Sequence, residues 1–309
     1  MNNVFSDVLP IFLIALLGSV IRRKWLKSDE FWRGLEKLSF YILFPTVLFK
    51  HSATVDFASL EMIKLTVALI ASNLIVSGLL IFYQYKYDYN KVQFTSVFQG
   101  ATRYNNYIFF SVGFALFGEK GLNVISSISP YLLTLTNITA ITAFYYYIPS
   151  GGEASKKRGV TLLFKSIIMN PFILASFTGF AFNYFNLTLN SGIANTIETI
   201  ADSAFAIGML IVGASIKLKI DPKHFNQILA TSGVKLIITP LITFIIIWLM
   251  SISGTARSVG ILFSCLPCAS SSYILSRQLG GDPETMSSII TFTTIFSILS
   301  LSLLVYILG

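Results

Sequence analysis

Charged residues are scarce in this chain. Asp, Glu, Lys and Arg together make up 12% of its 309 residues, whereas soluble domains carry about a quarter. Hydrophobic residues make up 54%, and the mean hydropathy is +0.73. These values exclude an ordinary soluble domain and indicate an all-α polytopic membrane protein.

Cysteine and histidine are nearly absent, with two residues of each type. Cys265 and Cys268 form the sequence C-L-P-C inside an apolar segment, and the histidines, His51 and His224, lie far from it. A structural zinc site takes four such ligands, so no metal is expected. The spacing leaves a redox pair open, but small packing residues beside a helix break suit the apolar surroundings better.

Acidic residues are missing from the middle of the apolar segments. This argues against a cation/proton antiporter, which needs a titrating carboxylate in its ion path. The chain also lacks a P-loop, a nucleophile elbow and an H-E-x-x-H motif, so neither an ATP-driven pump nor an intramembrane protease is indicated. We expect no enzymatic activity and no cofactor.

Apolar stretches of about 18 to 26 residues recur along the sequence, and each is long enough to cross about 30 Å of hydrocarbon. The net charge of +8 does not indicate nucleic acid, because the cations lie mostly in the short loops between these stretches. The lipid bilayer is therefore the expected partner. We place ten spans at 4–21, 34–53, 60–84, 93–117, 121–147, 160–182, 192–216, 224–250, 257–277 and 284–307.

The loop cations alternate along the chain, and their asymmetry predicts the orientation. One set of loops holds most of the Lys and Arg residues, including the Lys156–Arg158 run, whereas the other set holds only Lys50, Lys120 and Arg257. The positive-inside rule makes the first set cytoplasmic and both termini extracytoplasmic, in a plasma (bacterial inner) membrane. The N-terminus has no basic n-region, so we expect the first span to be retained.

The two halves of the chain show weak internal sequence similarity. Pro10 and Gly18 are matched by Pro171 and Gly179, each pair eight residues apart. Five spans on each side of a cytoplasmic loop give the halves opposite orientations, which predicts an inverted repeat. The expected units are a first five-helix repeat at 1–148, a linker at 149–159 and a second repeat at 160–309.

Two spans contain residues that are expected to interrupt a membrane helix. The fourth carries Arg103, Asn105 and Asn106 near the midplane, and the ninth carries Pro267 followed by Ser270–Ser272. If these antiparallel breaks cross, the ends of the second half-helices, beginning near Asn106 and Ala269, present positive dipoles to one centre. This predicts a substrate site for an anion, most naturally a carboxylate, bound by Arg103, Asn105, Asn106, Ser270, Ser271 and Ser272, with the crossover at Asn105 and Pro267. A structural polar cluster, close serine packing or a simple proline kink are the alternatives.

Other polar residues lie in or beside apolar segments. Lys235, in the eighth span, either carries substrate-linked charge, pairs with a carboxylate or extends to the cytoplasmic surface. Glu198 and Asp202 share one face of the seventh span, where a solvated or interhelical role competes with proton coupling. Thr46 follows Pro45, which predicts a third irregularity or an ordinary kink. Lys235, Asp202 and Thr46 are therefore candidates for coupling or support.

Seven segments in order resemble the auxin efflux carrier family, which includes plant auxin exporters and bacterial proteins described as malonate or malate permeases. The segments are DVLPIFLIALLGSVIRRKWL, YILFPTVLF, RYNNYIFFSVGFALFGEKGL, MNPFILASFTGF, ADSAFAIGMLIVGASIKL, GVKLIITPLI and LPCASSSYILSRQLGGDPE.

The resemblance implies a sodium/bile-acid-symporter-like fold of ten spans in two inverted five-helix repeats, with broken helices 4 and 9 crossing. It also implies a scaffold of helices 1, 2, 6 and 7 and a transport domain of helices 3–5 and 8–10. Many relatives have a proline shortly after the fourth-span asparagine, but Phe110-Ser111-Val112 has none. The break in the fourth-span helix is therefore expected to be less pronounced, opened only by Asn105 and Asn106.

The expected function is secondary transport, as an efflux carrier or exchanger of a small organic anion, by elevator-type alternating access. A receptor or scaffold that senses such an anion without transporting it is an alternative, as is a sodium-coupled organic-anion symporter. The sequence leaves H⁺ or Na⁺ open as the coupling ion, and it leaves a homodimer open.

Overall fold

The computed structural model describes residues 4–54, 59–148, 161, 164, 167–216 and 222–308. All regular structure in this part of the chain is helical. The predicted linker at 149–159 lies outside the described residues. In order, the α-helices are α1 (Val4–Lys24), α2 (Asp29–Leu38), α3 (Phe44–Ser52), α4 (Leu60–Tyr87), α5 (Lys91–Thr102), α6 (Asn106–Tyr147), α7 (Pro171–Tyr184), α8 (Ser191–Ser215), α9 (Phe225–Gly233), α10 (Thr239–Leu249), α11 (Gly254–Ser264), α12 (Ser272–Leu279) and α13 (Pro283–Leu308).

Five helical stretches of the described residues are long and apolar enough to cross a membrane, which confirms a helical membrane protein. They are Leu60–Tyr87, Lys91–Tyr147, Ser191–Ser215, Phe225–Leu249 and Pro283–Leu301. By contrast, α11 and α12 have 11 and 8 residues. At 1.5 Å per residue neither reaches across about 30 Å alone, so any crossing there needs both helices.

Two π-helical turns join helices that would otherwise be continuous. Ser39–Leu43 links α2 to α3, and Val234–Ile238 links α9 to α10. Each turn is followed by a proline at the second position of the next helix, Pro45 and Pro240. Because proline has no N–H and its ring collides with the carbonyl four residues earlier, the backbone opens to hydrogen bonds of wider span.

Small residues allow the closest helix packing. A Cβ atom on Gly18 or Gly213 would overlap the backbone of Leu210 or Ala15, so α1 and α8 are in backbone contact. A Cβ on Gly179 would lie 2.7 Å from the carbonyl oxygen of Phe49, which brings α7 equally close to α3. Such contacts are typical of membrane helices, where packing replaces the hydrophobic effect.

Aromatic side chains fill the space between α3, α6 and α7. The Phe44 ring lies 4.8 Å from Tyr107, 5.8 Å from Phe110 and 6.2 Å from Phe172, measured between centroids. Phe44, Phe110 and Phe172 are buried. This cluster packs behind the first turns of α6 and fixes the position of the residues that begin that helix.

Candidate functional site

The first interruption separates α5 from α6. The helix α5 ends at Thr102, Arg103–Asn105 are non-helical, and α6 begins at Asn106. Asn73 of α4 donates from Nδ2 to the Thr102 carbonyl oxygen at 2.8 Å, which satisfies one of the last carbonyls of α5. At the other end, the Asn105 side chain accepts from the N–H of Ile108 at 3.2 Å and so caps α6.

The second interruption separates α11 from α12, and Cys265–Ser271 lie between them without helical structure. Pro267 lies within this segment. Side chains of α13 bind the freed backbone: Thr293 Oγ1 accepts from the N–H of Cys268 at 3.3 Å, and Ser300 donates to the Cys265 carbonyl at 3.4 Å. The second half-helix was expected near Ala269, but α12 begins at Ser272.

The two interruptions contact each other directly. The backbone N–H of Asn105 donates to the carbonyl oxygen of Pro267 at 3.0 Å, and Asn105 Nδ2 donates to Ser270 Oγ at 3.3 Å. Arg103 Nη2 donates to Ser271 Oγ at 3.2 Å. The structure therefore brings Arg103, Asn105, Pro267 and the first two serines of the predicted run into one cluster.

Donors and acceptors at this meeting point are unevenly satisfied. Asn105 is 2% exposed and uses its side chain twice, whereas the buried Oδ1 of Asn106 has no hydrogen-bond partner among the described residues. Ser272 is buried, and its Oγ lies 3.7 Å from the Cys268 thiol. Because α6 and α12 both begin here, their N-terminal dipoles add positive potential to the cation of Arg103.

Gln99 and Ser276 extend the polar cluster and were not among the predicted residues. Gln99 is fully buried on α5 and donates from Nε2 to Ser276 Oγ of α12 at 3.1 Å, while its Oε1 has no partner in the described part of the chain. Ser276 also lies 3.5 Å from Ser96. A glutamine one turn before an interruption was the signal available in the sequence.

Three further candidates occupy different places. Lys235 lies on the second π-turn and is 1% exposed, and this turn packs against α5 and α13. Thr46 donates to the Ile42 carbonyl at 2.7 Å within its own helical segment. Asp202 is exposed on α8. Lys235 thus lies on an element that contacts α5, whereas the Thr46 hydroxyl bonds within its own segment and Asp202 faces outward.

The half-buried Lys50, on α3, and its neighbours form a second polar cluster with α6 and α8. Its ammonium lies 3.1 Å from Glu198 of α8 and 3.7 Å from Glu119, which follows the non-helical Gly118 inside α6. The adjacent His51 is buried, and its Nδ1 lies 2.8 Å from Asn123 Oδ1 and 3.5 Å from Glu119 Oε2. This Lys50–His51 cluster ties α3 to α6.

A cavity of about 850 Å³ extends from a basic rim to the second interruption. Arg22, Arg33 and Arg277 line it together with Asp29 and Glu36, and it reaches Ser270. Arg22 pairs with Asp29 at 2.7 Å. The lining residues belong to α1, α2, α8, α12 and α13, to the segment after α8 and to the second interruption. The cavity thus offers a small anion a positively charged approach to the partner of Asn105.

Comparisons with known proteins agree with a transport role. A family model described as "Membrane transport protein" matches residues 3–305. A protein of Methanothermobacter thermautotrophicus described as "Uncharacterized transporter" is 23% identical over 302 residues, which cover 96% of each chain. A protein of Rhizobium meliloti described as "Putative malonate transporter" is 21% identical over 316 residues, which cover 100% of this chain and 97% of that protein.

Proposed function

Since the chain belongs to the auxin efflux carrier family of membrane transport proteins, we propose that it is a secondary transporter of a small carboxylate, bound where the two helix interruptions meet. The observation that carries this proposal is the pair of hydrogen bonds from Asn105 to Pro267 and Ser270. Irregular backbone at membrane depth exposes N–H and C=O groups that lipid cannot satisfy, so it is tolerated only where it is buried in protein or lines a cavity. In secondary transporters such broken helices form the substrate site.

The proposed site recognises its ligand by charge and by amide donors. Arg103 supplies a cation, Asn105 and Asn106 supply oriented amides, and the serines Ser270, Ser271 and Ser272 supply hydroxyls. Hydrogen bonds between charged and neutral groups are stronger than those between two neutral groups. The relative from Rhizobium meliloti is described as a malonate transporter, which makes malonate the first anion to test.

The proposed architecture has ten spans in two inverted five-helix repeats. The described helices supply candidates for every span: α1, α2 with α3, α4, α5 with the first part of α6, the rest of α6, α7, α8, α9 with α10, α11 with α12, and α13. In this scheme α1, α2, α3, α7 and α8 form the scaffold, and the others form the transport domain. The tight contacts of α1 with α8 and of α3 with α7 support a rigid scaffold.

We further propose that the transport domain moves against the scaffold as an elevator. The cavity supports this, because residues of both the proposed scaffold helices and the proposed transport helices line it. Its arginines, Arg22, Arg33 and Arg277, lie at the ends of the chain segments that the positive-inside rule makes cytoplasmic, so we assign the arrangement to an inward-open state in the bacterial inner membrane. We propose that H⁺ or Na⁺ drives this movement. The test is to impose a gradient of either ion across the vesicle membrane and to measure uptake.

The test is counterflow in proteoliposomes. Vesicles containing purified protein and loaded with unlabelled malonate should accumulate radiolabelled malonate, and Asn105→Ala or Asn106→Ala should abolish this uptake without loss of insertion. Asn195→Ala is the matched control, because Asn195 is exposed on α8. Uptake that survives both substitutions at the interruption would show that the substrate binds elsewhere. Binding without counterflow would instead identify a receptor.

A further inference from the structure

Lys235 is a buried cation that the proposed site has not yet used. Only 1% of its surface is exposed, so it does not extend to the aqueous surface. Within the part of the chain that the structure describes, its ammonium takes part in no hydrogen bond or ion pair. Burying a charge without compensation costs several kcal/mol. A negative charge on a bound ligand would offset this cost.

The π-turn fixes where Lys235 lies. Thr239 precedes Pro240, and both its N–H and its hydroxyl bond to the Val234 carbonyl, the hydroxyl at 2.9 Å. This turn packs against α5, and one helical turn earlier Thr231 lies beside Gly100, where a Cβ would be 2.8 Å from the threonine methyl. Lys235 is therefore placed near the end of α5 at Thr102, and Asn105 is the third residue after that end.

Cys268 connects Lys235 to the second interruption. Cys268 packs in one buried cluster with Ile228 of α9, which precedes Lys235 by about two helical turns, and Arg103 bonds to Ser271 of the same interruption. The Cys268 sulphur is 3.7 Å from the Gln99 carbonyl oxygen and 3.7 Å from Ser272 Oγ. Two cations thus approach one short segment of backbone from different elements, Arg103 from the first interruption and Lys235 from the π-turn.

No acidic side chain balances these two cations. Among the described residues, the ion pairs involve Arg22, Lys50 and His51, and none involves Arg103 or Lys235. The N-terminal ends of α6 and α12 add positive potential at the same place. In surroundings of low dielectric constant, a second negative charge on the ligand is therefore worth more than it would be in water.

We propose that Lys235 is a specificity-determining residue of this site, and that with Arg103 it selects dicarboxylates carrying two negative charges over monocarboxylates. The inference rests on the proposed function, because it assumes that a carboxylate binds at Asn105. The inference adds to the proposed site a residue, Lys235, that lies outside both interruptions, and it specifies two negative charges on the substrate. Gln99 and Ser276 are uncharged and bond to each other, so they do not alter the charge balance.

The test compares two ligands of nearly the same shape and different charge. Malonate carries two charges at neutral pH, whereas its monomethyl ester carries one. We expect isothermal titration calorimetry on the purified full-length protein to give malonate about tenfold tighter binding than the ester, since one more charged hydrogen bond is worth about 1.5 kcal/mol or more. Lys235→Gln should remove that difference by weakening malonate alone, and Lys235→Arg should preserve it.

Two controls separate a specific role from a structural one. Lys91→Gln makes the same change at an exposed position at the start of α5 and should leave both affinities unchanged. If Lys235→Gln does not fold, Lys235→Met, which retains much of the chain length without the charge, replaces it. In the unmodified protein, the ratio of the malonate affinity to the ester affinity directly measures the selectivity for a doubly charged ligand.

The contrary results are distinct. Equal affinity for malonate and its ester in the unmodified protein, or an equal loss of both in Lys235→Gln, would overturn the role of Lys235 and leave carboxylate transport intact. The proposed function would be overturned if the folded, unmodified protein bound neither malonate, nor its ester, nor any member of a wider panel of mono- and dicarboxylates. This inference would fail with it.

Discussion

The backbone N–H of Asn105 donates to the carbonyl oxygen of Pro267 at 3.0 Å, so each helix interruption completes the other. A non-helical N–H needs an acceptor, and the Pro267 carbonyl has no helical donor because Cys265–Ser271 are not helical. Neither residue could make this bond if the other helix were continuous. The relationship makes Asn105 both a structural residue, through its backbone and its cap of α6, and a ligand-binding candidate, through its amide.

Substitution of Asn105 by Asp or Ser separates these two roles. Both residues cap helices as well as Asn does, so the bond from the Ile108 N–H should persist and the melting temperature should change little. Asp replaces the donor to Ser270 with a negative charge, which repels a carboxylate. We expect Asn105→Asp to abolish malonate uptake and Asn105→Ser to reduce it about tenfold, because a donor to a charged group is lost. Uptake by Asn105→Asp at the unmodified rate would remove Asn105 from the binding site.

Substitution of Gly213 tests the contact between α1 and α8. Any Cβ at this position overlaps the Ala15 carbonyl, so Gly213→Ala must push the two helices apart. Overpacking of this kind costs about 1–3 kcal/mol, and the melting temperature in detergent should fall by several degrees. Gly78→Ala is the control: it lies in the interior of α4 with nothing within 4 Å of a new Cβ, and helix propensity favours alanine there. Equal melting temperatures for the two variants would contradict the close contact.

The helical class, the apolar spans and the two polar interruptions could be predicted from composition and from Asn105 and Pro267. The start of α12 could not, because a serine is tolerated in a helix and Ser270 and Ser271 instead turn towards Asn105 and Arg103. Those contacts cross between distant parts of the chain, and local propensity contains no information about them. The expected start at Ala269 was therefore three residues too early.

The surroundings of Lys235 and Gln99 were also beyond sequence reasoning. A lysine in an apolar helix fits equally well at the surface, with its ammonium extended to water, or inside, with a ligand. Only the packing of the π-turn against α5 distinguishes the two, and it places Lys235 inside. Gln99 lies in a helix with several other polar residues, so the sequence alone does not single it out. Its bond to Ser276 could be seen only once the position of α12 was known.

The Lys50–His51 cluster predicts an unequal pair of mutational effects. His51 is 2% exposed and its closest contact is with Asn123 at 2.8 Å, so Asn123→Ala leaves a buried ring nitrogen without this partner. We expect a loss of about 1–3 kcal/mol in the free energy of unfolding. Glu119 has a side chain that is 61% exposed, and Glu119→Gln should cost less than about 1 kcal/mol.

Denaturant titration of the purified protein measures both changes. Glu198→Gln serves as the control, since Glu198 contacts the same Lys50 at 3.1 Å and makes no ion pair with His51 among the described residues. A larger effect for Glu119→Gln than for Asn123→Ala would mean that a protonated His51 holds Glu119 as an ion pair, and that the amide contact is secondary.

The two π-turns supply a test of Lys235 that leaves its charge in place. Pro240→Ala restores a backbone donor and allows Val234–Ile238 to return to α-helical hydrogen bonding, which rotates Lys235 relative to α5. Malonate affinity should fall while the affinity for its monomethyl ester stays unchanged. Pro45→Ala makes the same change after the other π-turn, on α3, and should alter stability without changing the ratio of the two affinities. If both variants retained the unmodified ratio, the position of Lys235 on its turn would not matter for charge selection, and the cation would act only through the general field of the site.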